Sequence, residues 1–532
     1  MSFVFRFSRF RVLISSMSVS VARAIAFDIL SRVESEQAYA SDLLHAELDG
    51  PSSSRASAIK PADAALATEL TLGVLRWRRL LDFLLRPWLK KPVDGLDVPV
   101  AIALRMGLYQ LRFLQRIPAR AAVNESVELV KRAKKPSAAA LVNAVLRRAA
   151  EQTVPSASAP AVTVNERTAH VREISVSDDQ IARLSGVDRI ATLHSHPTWL
   201  VERWVARFGE QRAVALLEAN NRPPRLSLAL RDPDRREEVL AALDTAGLDV
   251  QPGALLRNAV AVRGGSPARS QAFREGLISI QDEASQVIPL LLDVRPGDRV
   301  LDLCAAPGGK TPPLARAVEP GGLVVAADRH AHRLRAMRGQ FERLRLENVQ
   351  IVELDAERPL PFAEKFDRIL VDAPCSGTGT LARHPEIRWR LRPEQLIEFH
   401  RLQVAILSSA LAVLAPGGRL VYSTCSLEPE ENELVMRELL CESPGVTAPA
   451  AISQSSATSS SPTGALADAS GHQREVALVT PDNTIATLTP HLTPNVVPAS
   501  FFGPDGFFRT IPGIQPTDGF FGAILEKKSG KR

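Results

Sequence analysis

Cysteine is scarce: Cys304, Cys375, Cys425 and Cys441 are the only four in 532 residues. So few, with no paired CxxC spacing, make neither a disulfide framework nor a zinc site, and no metal is expected. They fit a reducing cytoplasm in which a catalytic thiol stays free. No run of about 18 uninterrupted apolar residues occurs, so no membrane span is expected. The one Gly-rich turn that follows a strand pattern is neither GxGxxG nor GxxxxGK[ST], which disfavours a dinucleotide or a nucleoside triphosphate. Acidic residues are missing from the first twenty positions, MSFVFRFSRFRVLISSMSVS, which are Arg- and Ser-rich like a transit peptide. Met17 opens a stretch that runs directly into a helical pattern, so residues 1–18 are read as an extension or a mis-assigned start.

The charge that is present lies unevenly. Lys and Arg outnumber Asp and Glu 23 to 13 over residues 1–150, against 42 to 46 over the rest. A basic excess confined to one part suggests a polyanionic partner there. Within 19–151 apolar residues recur at helical spacing (Ile25, Ile29, Leu30, Val33; Val123, Val127, Val130), and prolines punctuate the breaks. The basic residues cluster at Arg76–Arg79, Lys131–Arg132, Lys134–Lys135 and Arg147–Arg148. A helical RNA-binding bundle is expected. Residues 152–188 read as a linker and 189–290 as a small α+β RNA-recognition module. From Arg299 onward strands alternate with helices, which predicts an α/β, doubly wound parallel sheet over 291–445 and 499–527. Residues 446–498, rich in Ser and Thr, read as a disordered insertion. The closing DGFFGAIL rejoins the sheet. The chain is thus multidomain, and a monomer is expected.

The first strand of that sheet runs into Asp302-Leu303-Cys304-Ala305-Ala306-Pro307-Gly308-Gly309-Lys310. A glycine-rich turn at a strand's C-terminal end lets backbone approach a ligand in the crevice beyond the sheet. The next three strands end near Asp328, Asp355 and Asp372. A single aspartate there could be a helix cap. Four along one sheet edge describe an adenosine-type cofactor without phosphates, with Asp328 toward the ribose hydroxyls and Asp355 toward the adenine amine.

Two neighbouring strands also deliver cysteines to this edge, in Asp372-Ala373-Pro374-Cys375-Ser376-Gly377 and in Ser423-Thr424-Cys425-Ser426. Cys441 and Cys304 are read as small buried hydrophobes, the backbone of Cys304 bordering the cofactor. A thiol suits methyl transfer to carbon 5 of cytosine, a poor nucleophile until a thiolate adds to carbon 6 and makes it enamine-like. Asp372 as a carboxylic acid on N3 would stabilise such an adduct, and Lys310 with a sulfonium would favour the thiolate.

The motifs DLCAAPGGK, DAPCSGTGTLARHPEIRW and YSTCS resemble the RNA cytosine-C5 methyltransferases of the NOL1/NOP2/Sun type. FREGLISIQDEASQ and DGFFGAIL resemble the branch acting on bacterial small-subunit rRNA, and RAIAFDIL, TLGVLRWRRLLDFLL, AAVNESVELVKR and LVNAVLRR resemble the NusB helical domain. The resemblance covers roughly 19–445 and 499–527. It implies a NusB-like bundle, the small module and a Rossmann-like class I methyltransferase using S-adenosyl-L-methionine. It further implies Cys425 as nucleophile, Cys375 in release, and a cofactor held by Cys304, Ala305, Ala306, Pro307, Gly308, Gly309, Lys310, Asp328, Asp355 and Asp372. The implied substrate is cytosine 967 of 16S rRNA. A tRNA substrate, or a non-catalytic RNA-binding or antitermination scaffold, are the rivals. The turn departs from its relatives at Pro312-Pro313, where a helix's first turn tolerates proline. Ala229-Leu230-Arg231 stands where relatives show Arg-x-Asn, which weakens transfer of a substrate contact there.

Overall fold

The computed structural model describes residues 19–48, 59–151, 183–441 and 476–529. The expected extension 1–18, most of the linker and residues 446–475 lie outside them. Two compact units divide between Ser195 and His196.

The first unit is helical: α1 (Val21–Glu36), α2 (Ala40–Leu48), α3 (Pro61–Arg76), α4 (Arg78–Leu85), α5 (Val98–Phe113), α6 (Ala119–Arg132), α7 (Ala139–Glu151) and α8 (Gly186–Leu193). Helix α8 starts inside the stretch read as linker. Helix α5 is buried almost all round and forms the axis on which α1, α3, α6 and α7 pack. Gly107 lets α6 and α7 approach α5, since a Cβ there would meet Leu146 Cδ1 at 2.4 Å and Ser126 Oγ at 2.8 Å.

This unit corrects the expected role of the Arg76–Arg79 run. Arg76 is buried. Arg78 pairs with Glu34 at 2.7 Å and Asp94 at 3.2 Å. Arg79 reaches Asp188 at 2.5 Å, Thr192 at 3.1 Å and the Ser195 hydroxyl through its backbone N–H at 3.0 Å. These guanidinium groups tie helices together rather than facing a polyanion. Arg147 and Arg148 on α7 are exposed.

The second unit opens with α9 (Thr198–Phe208) and α10 (Glu210–Asn221). It continues through β1 (Leu226–Leu230), α11 (Arg236–Thr245), β2 (Asp249–Pro252), β3 (Ala259–Arg263), α12 (Gln271–Arg274) and β4 (Ile278–Ile280). The four strands form an antiparallel sheet in the order β2-β3-β1-β4. Leu228, Leu230, Val260, Val262 and Ile278 pack against Val239 and Leu243 of α11.

After α13 (Glu283–Leu290) come β5 (Arg299–Leu303), α14 (Thr311–Ala317), β6 (Leu323–Asp328), α15 (Ala331–Arg343), β7 (Val349–Glu353) and β8 (Phe366–Asp372). The remainder is α16 (Ile387–Arg390), α17 (Pro393–Ala412), β9 (Leu414–Thr424), α18 (Glu433–Cys441), β10 (Val476–Leu478), α19 (Pro481–Leu488), β11 (Phe508–Thr510) and β12 (Phe520–Lys527). The sheet order is β10-β12-β9-β8-β5-β6-β7, with β11 on β12. Strands β5 to β9 are mutually parallel, and β12 joins antiparallel to β9. Side chains alternate between two covered faces, as a parallel sheet requires. Val300, Val324, Leu370 and Val421 enter one core, while Leu301, Val325, Ile369 and Leu420 enter the other.

The chain leaves β5 toward β6 and β7, then returns to β8 on the other side. This reversal between β5 and β8 opens the crevice where such sheets bind ligands. Within the stretch read as a disordered insertion, the described part from Val476 on is folded: β10 pairs with β12, and Leu488 and Leu492 are buried in the core. A strand of three residues has too little periodicity to stand out beside a Ser/Thr-rich tract.

Candidate active site

The turn after β5 makes the floor of the crevice. Cys304 takes a left-handed φ of 64° and the Ala306–Pro307 peptide is cis. Gly308 has φ 98°, and a Cβ there would meet Met337 Cγ at 2.7 Å and Phe341 Cε1 at 2.9 Å. Only glycine lets this loop lie on α15. Asp328, buried at the end of β6, accepts the backbone N–H of Ala306 at 3.3 Å and of His330 at 3.0 Å. Asp302 lies inside β5, fully buried. Its Oδ2 accepts the Thr311 hydroxyl at 2.7 Å, while Oδ1 has no donor. Burial pushes its carboxyl up to about 7, and the charges of Asp372 and Asp328 add to the rise.

Asp372 closes the other wall. Lys310 Nζ donates to its Oδ2 at 2.6 Å and Ser423 Oγ to its Oδ1 at 2.8 Å. Asp372 therefore ties the cofactor loop to β9. Asp355 stands apart from the other three carboxylates. It lies two residues beyond β7, is exposed, and accepts the Glu357 N–H at 3.1 Å. It can border the crevice only at its rim.

Asp328 and Asp372 against one ammonium (Lys310) leave no surplus of positive charge for phosphate. Acidic side chains beside a glycine loop fit a ligand carrying positive charge and no phosphate. S-adenosylmethionine, with its sulfonium and ammonium, has that charge, so the residues present fit it.

Cys375 and Cys425 follow the parallel strands β8 and β9, which pair at Asp372↔Ser423. Their sulfurs lie 3.3 Å apart. Burial, after the contact with the Cys425 thiol, pushes the Cys375 thiol well up, and the Glu431 carboxylate adds to this. The Lys310 ammonium is paired with Asp372 at 2.6 Å. Cys304 is also pushed up, by burial and then by Asp328, Asp372 and Asp302, which makes it a poor nucleophile. The side chain of Cys441 lies outside the described residues.

Glu431 was not visible in the sequence reading. It is buried beneath both cysteine loops and its carboxyl is raised by burial. It accepts the Ser376 N–H at 2.7 Å, the Ser376 and Ser426 hydroxyls, the latter at 2.5 Å, and Gln403 Nε2 at 3.2 Å. Its neighbour Asn432 accepts the Thr424 hydroxyl at 2.5 Å and donates to the Ser426 carbonyl at 2.9 Å. A glutamate in Leu427-Glu428-Pro429-Glu430-Glu431-Asn432 reads as surface, and no local signal marks it as buried. Gly379 completes the join. Its N–H donates to the Cys425 carbonyl at 2.9 Å and its carbonyl accepts the Gly519 N–H at 2.8 Å.

Among the described residues no cluster of three His, Cys, Asp or Glu could hold a metal ion, and no helix is long and apolar enough to cross a membrane.

Comparison with known proteins agrees across the chain. Residues 289–526 match the family described as 16S rRNA methyltransferase RsmB/F. Residues 20–151 match the NusB family, and 196–269 a ferredoxin-like domain of RsmF/B-like methyltransferases. The chain is 33% identical over 431 residues to a probable ribosomal RNA small subunit methyltransferase B of Bacillus subtilis, covering 80% of this chain and 90% of that protein. It is 36% identical over 386 residues to ribosomal RNA small subunit methyltransferase B of Pseudomonas syringae pv. tomato, covering 72% and 80%. The solved structure of PH0851 has the same fold, with a TM-score of 0.70 at 24% identity over 96% of this chain and 100% of that one.

Proposed function

We propose that this chain, which belongs to the 16S rRNA methyltransferase RsmB/F family, methylates carbon 5 of one cytosine of 16S rRNA, at position 967, through a cysteine adduct in the cytoplasm. S-adenosylmethionine is the cofactor of the family and supplies the methyl group as an electrophile on sulfonium. Cys304 to Lys310, Asp328 and Asp372 would hold it, with Asp355 at the rim.

The observation that carries this reading is the thiol pair, 3.3 Å apart beside the cofactor loop. Two thiols so placed can both reach a base turned out of its stack. Cys425 as thiolate adds to carbon 6, and the displaced electron pair makes carbon 5 nucleophilic. N3 takes its proton from the Lys310–Asp372 pair, joined at 2.6 Å. After methylation the carbon-5 proton passes to Cys375 acting as base, Cys425 leaves carbon 6 with the bonding electron pair, and N3 returns its proton to the Lys310–Asp372 pair, so the ring regains its conjugation. Cys375, whose sulfur lies 3.3 Å from that of Cys425, assists this second half. Exposed Arg147 and Arg148 on α7 of the helical unit support binding of RNA phosphates.

Substitution separates the two thiols. Cys425→Ala should abolish methylation and leave cofactor binding intact. Cys375→Ala should form the adduct, methylate once, and stay attached to RNA on a denaturing gel; the complex should vanish in the double variant. A trap with Cys425→Ala instead exchanges the roles. Full activity in both single variants removes covalent catalysis.

A further inference from the structure

Cys375 and Cys425 are 50 residues apart in sequence, and their loops touch directly where the Gly379 N–H meets the Cys425 carbonyl at 2.9 Å and the Leu427 N–H meets Thr378 Oγ1 at 2.8 Å. One buried carboxylate joins the residues directly after the two cysteines. Oε1 of Glu431 accepts the hydroxyls of Ser376 and Ser426, the residues directly after Cys375 and Cys425. Oε2 accepts the Ser376 backbone N–H and Gln403 Nε2, while the same Gln403 nitrogen donates to the Pro374 carbonyl at 2.9 Å. The turn carrying Glu431 is itself fixed, because the Tyr422 hydroxyl donates to the Glu431 carbonyl at 2.6 Å. A buried carboxylate with four donors is costly to remove and geometrically exacting.

We propose that Glu431 is a positioning residue that holds the Cys375 and Cys425 loops at one spacing, so that a single base meets both thiols. This rests on the thiol chemistry proposed above, and Glu431 itself touches neither sulfur nor base. Glutamine at this position can keep the tie. Its carbonyl accepts the Ser376 N–H and Gln403, and its amide donates to the two serine hydroxyls once they rotate. Alanine cannot. Both replacements remove the charge, so their ratio isolates position from electrostatics.

The test uses the full chain as Glu431→Gln and Glu431→Ala. Diamide takes two electrons and two protons from a close thiol pair and leaves a disulfide, read by peptide mass mapping without reductant. The Cys375–Cys425 disulfide should form at least about 10-fold more slowly in E431A than in E431Q, about 1.4 kcal/mol of lost proximity. Single-turnover methylation of a 16S rRNA fragment should fall on the order of 100-fold in E431A, as misplacement by about 1 Å does. E431Q should recover most of that rate, and S-adenosylmethionine affinity should be unchanged in both. Equal disulfide rates in the two variants would overturn the proposal. Should E431A not fold, Glu431→Asp keeps the charge but cannot span both serines, and it is expected to lag the parent; parity there overturns the proposal equally. If the disulfide series holds while the parent methylates no RNA, the thiol chemistry fails and the positioning role stands.

Discussion

Replacing Asp302 by asparagine tests the floor of the cofactor crevice through its response to pH. Asp302 is fully buried in β5, with the Thr311 hydroxyl on one oxygen and nothing on the other. Burial raises its carboxyl from 3.8 to about 7. The folded chain thus holds a proton that the unfolded chain has lost between these two values. The stability tied to that proton is complete below pH 3.8 and is lost as pH rises through about 7. Each unit of displacement is worth about 1.4 kcal/mol, so the loss approaches a ceiling of about 4 kcal/mol. Asparagine carries no charge at any pH and still accepts from Thr311. Its amide N–H groups meet no acceptor, at a cost of about 1–3 kcal/mol. In acid Asp302→Asn should therefore melt below the parent, and the order should reverse between pH 3.8 and about 7, above which the difference is constant. Asp518 is also raised to about 7 by burial, but it titrates in both proteins and cancels in the difference. Calorimetric melting of the cofactor-free chain, following the α/β transition, measures this. A parent–variant difference constant across the range would refute the raised carboxyl.

Asp328→Ala should weaken S-adenosylmethionine binding by about 2–4 kcal/mol in titration calorimetry, because it removes a charged acceptor and the anchor of the Ala306 N–H. Asp328→Asn should lose less; equal affinity in parent and alanine variant would discard the ribose assignment. Charge reversal of Arg147 and Arg148 should flatten the salt dependence of RNA affinity, lowering its logarithmic slope by about 1.4–1.8. Reversal of Arg78 and Arg79 should instead lower the melting point of the helical unit by breaking pairs to Glu34, Asp94 and Asp188; identical slopes for the two double variants would contradict this division. Gly379→Ala would place a Cβ 2.3 Å from the Gly519 carbonyl oxygen and 2.9 Å from that of Cys425. It should destabilise the unit by at least about 3 kcal/mol and abolish activity, and normal melting with normal turnover would show that the loops have slack.

The sequence by itself determined what near neighbours decide. Alternation at Val300, Leu301 and Asp302 set a strand with two covered faces, and Gly308 in its turn announced backbone that no side chain could follow. The motif residues were likewise legible, since a strand's end places its next residues at the sheet edge whatever lies beside it. Only the tertiary structure decided which side chains meet across those strands. The reversal between β5 and β8 brings Lys310 to Asp372. Register between β8 and β9 brings the two cysteine loops side by side, with the sulfurs 3.3 Å apart. The same limit explains the misplaced expectations. Arg78 and Arg79 look like a polyanion site until helix packing hands them Glu34, Asp94 and Asp188. Residues 476–498 look unfoldable until β12 offers them an edge. Glu431 looks like surface because burial of a carboxylate depends on donors gathered from two distant segments as well as from Ser426, and no local period records that.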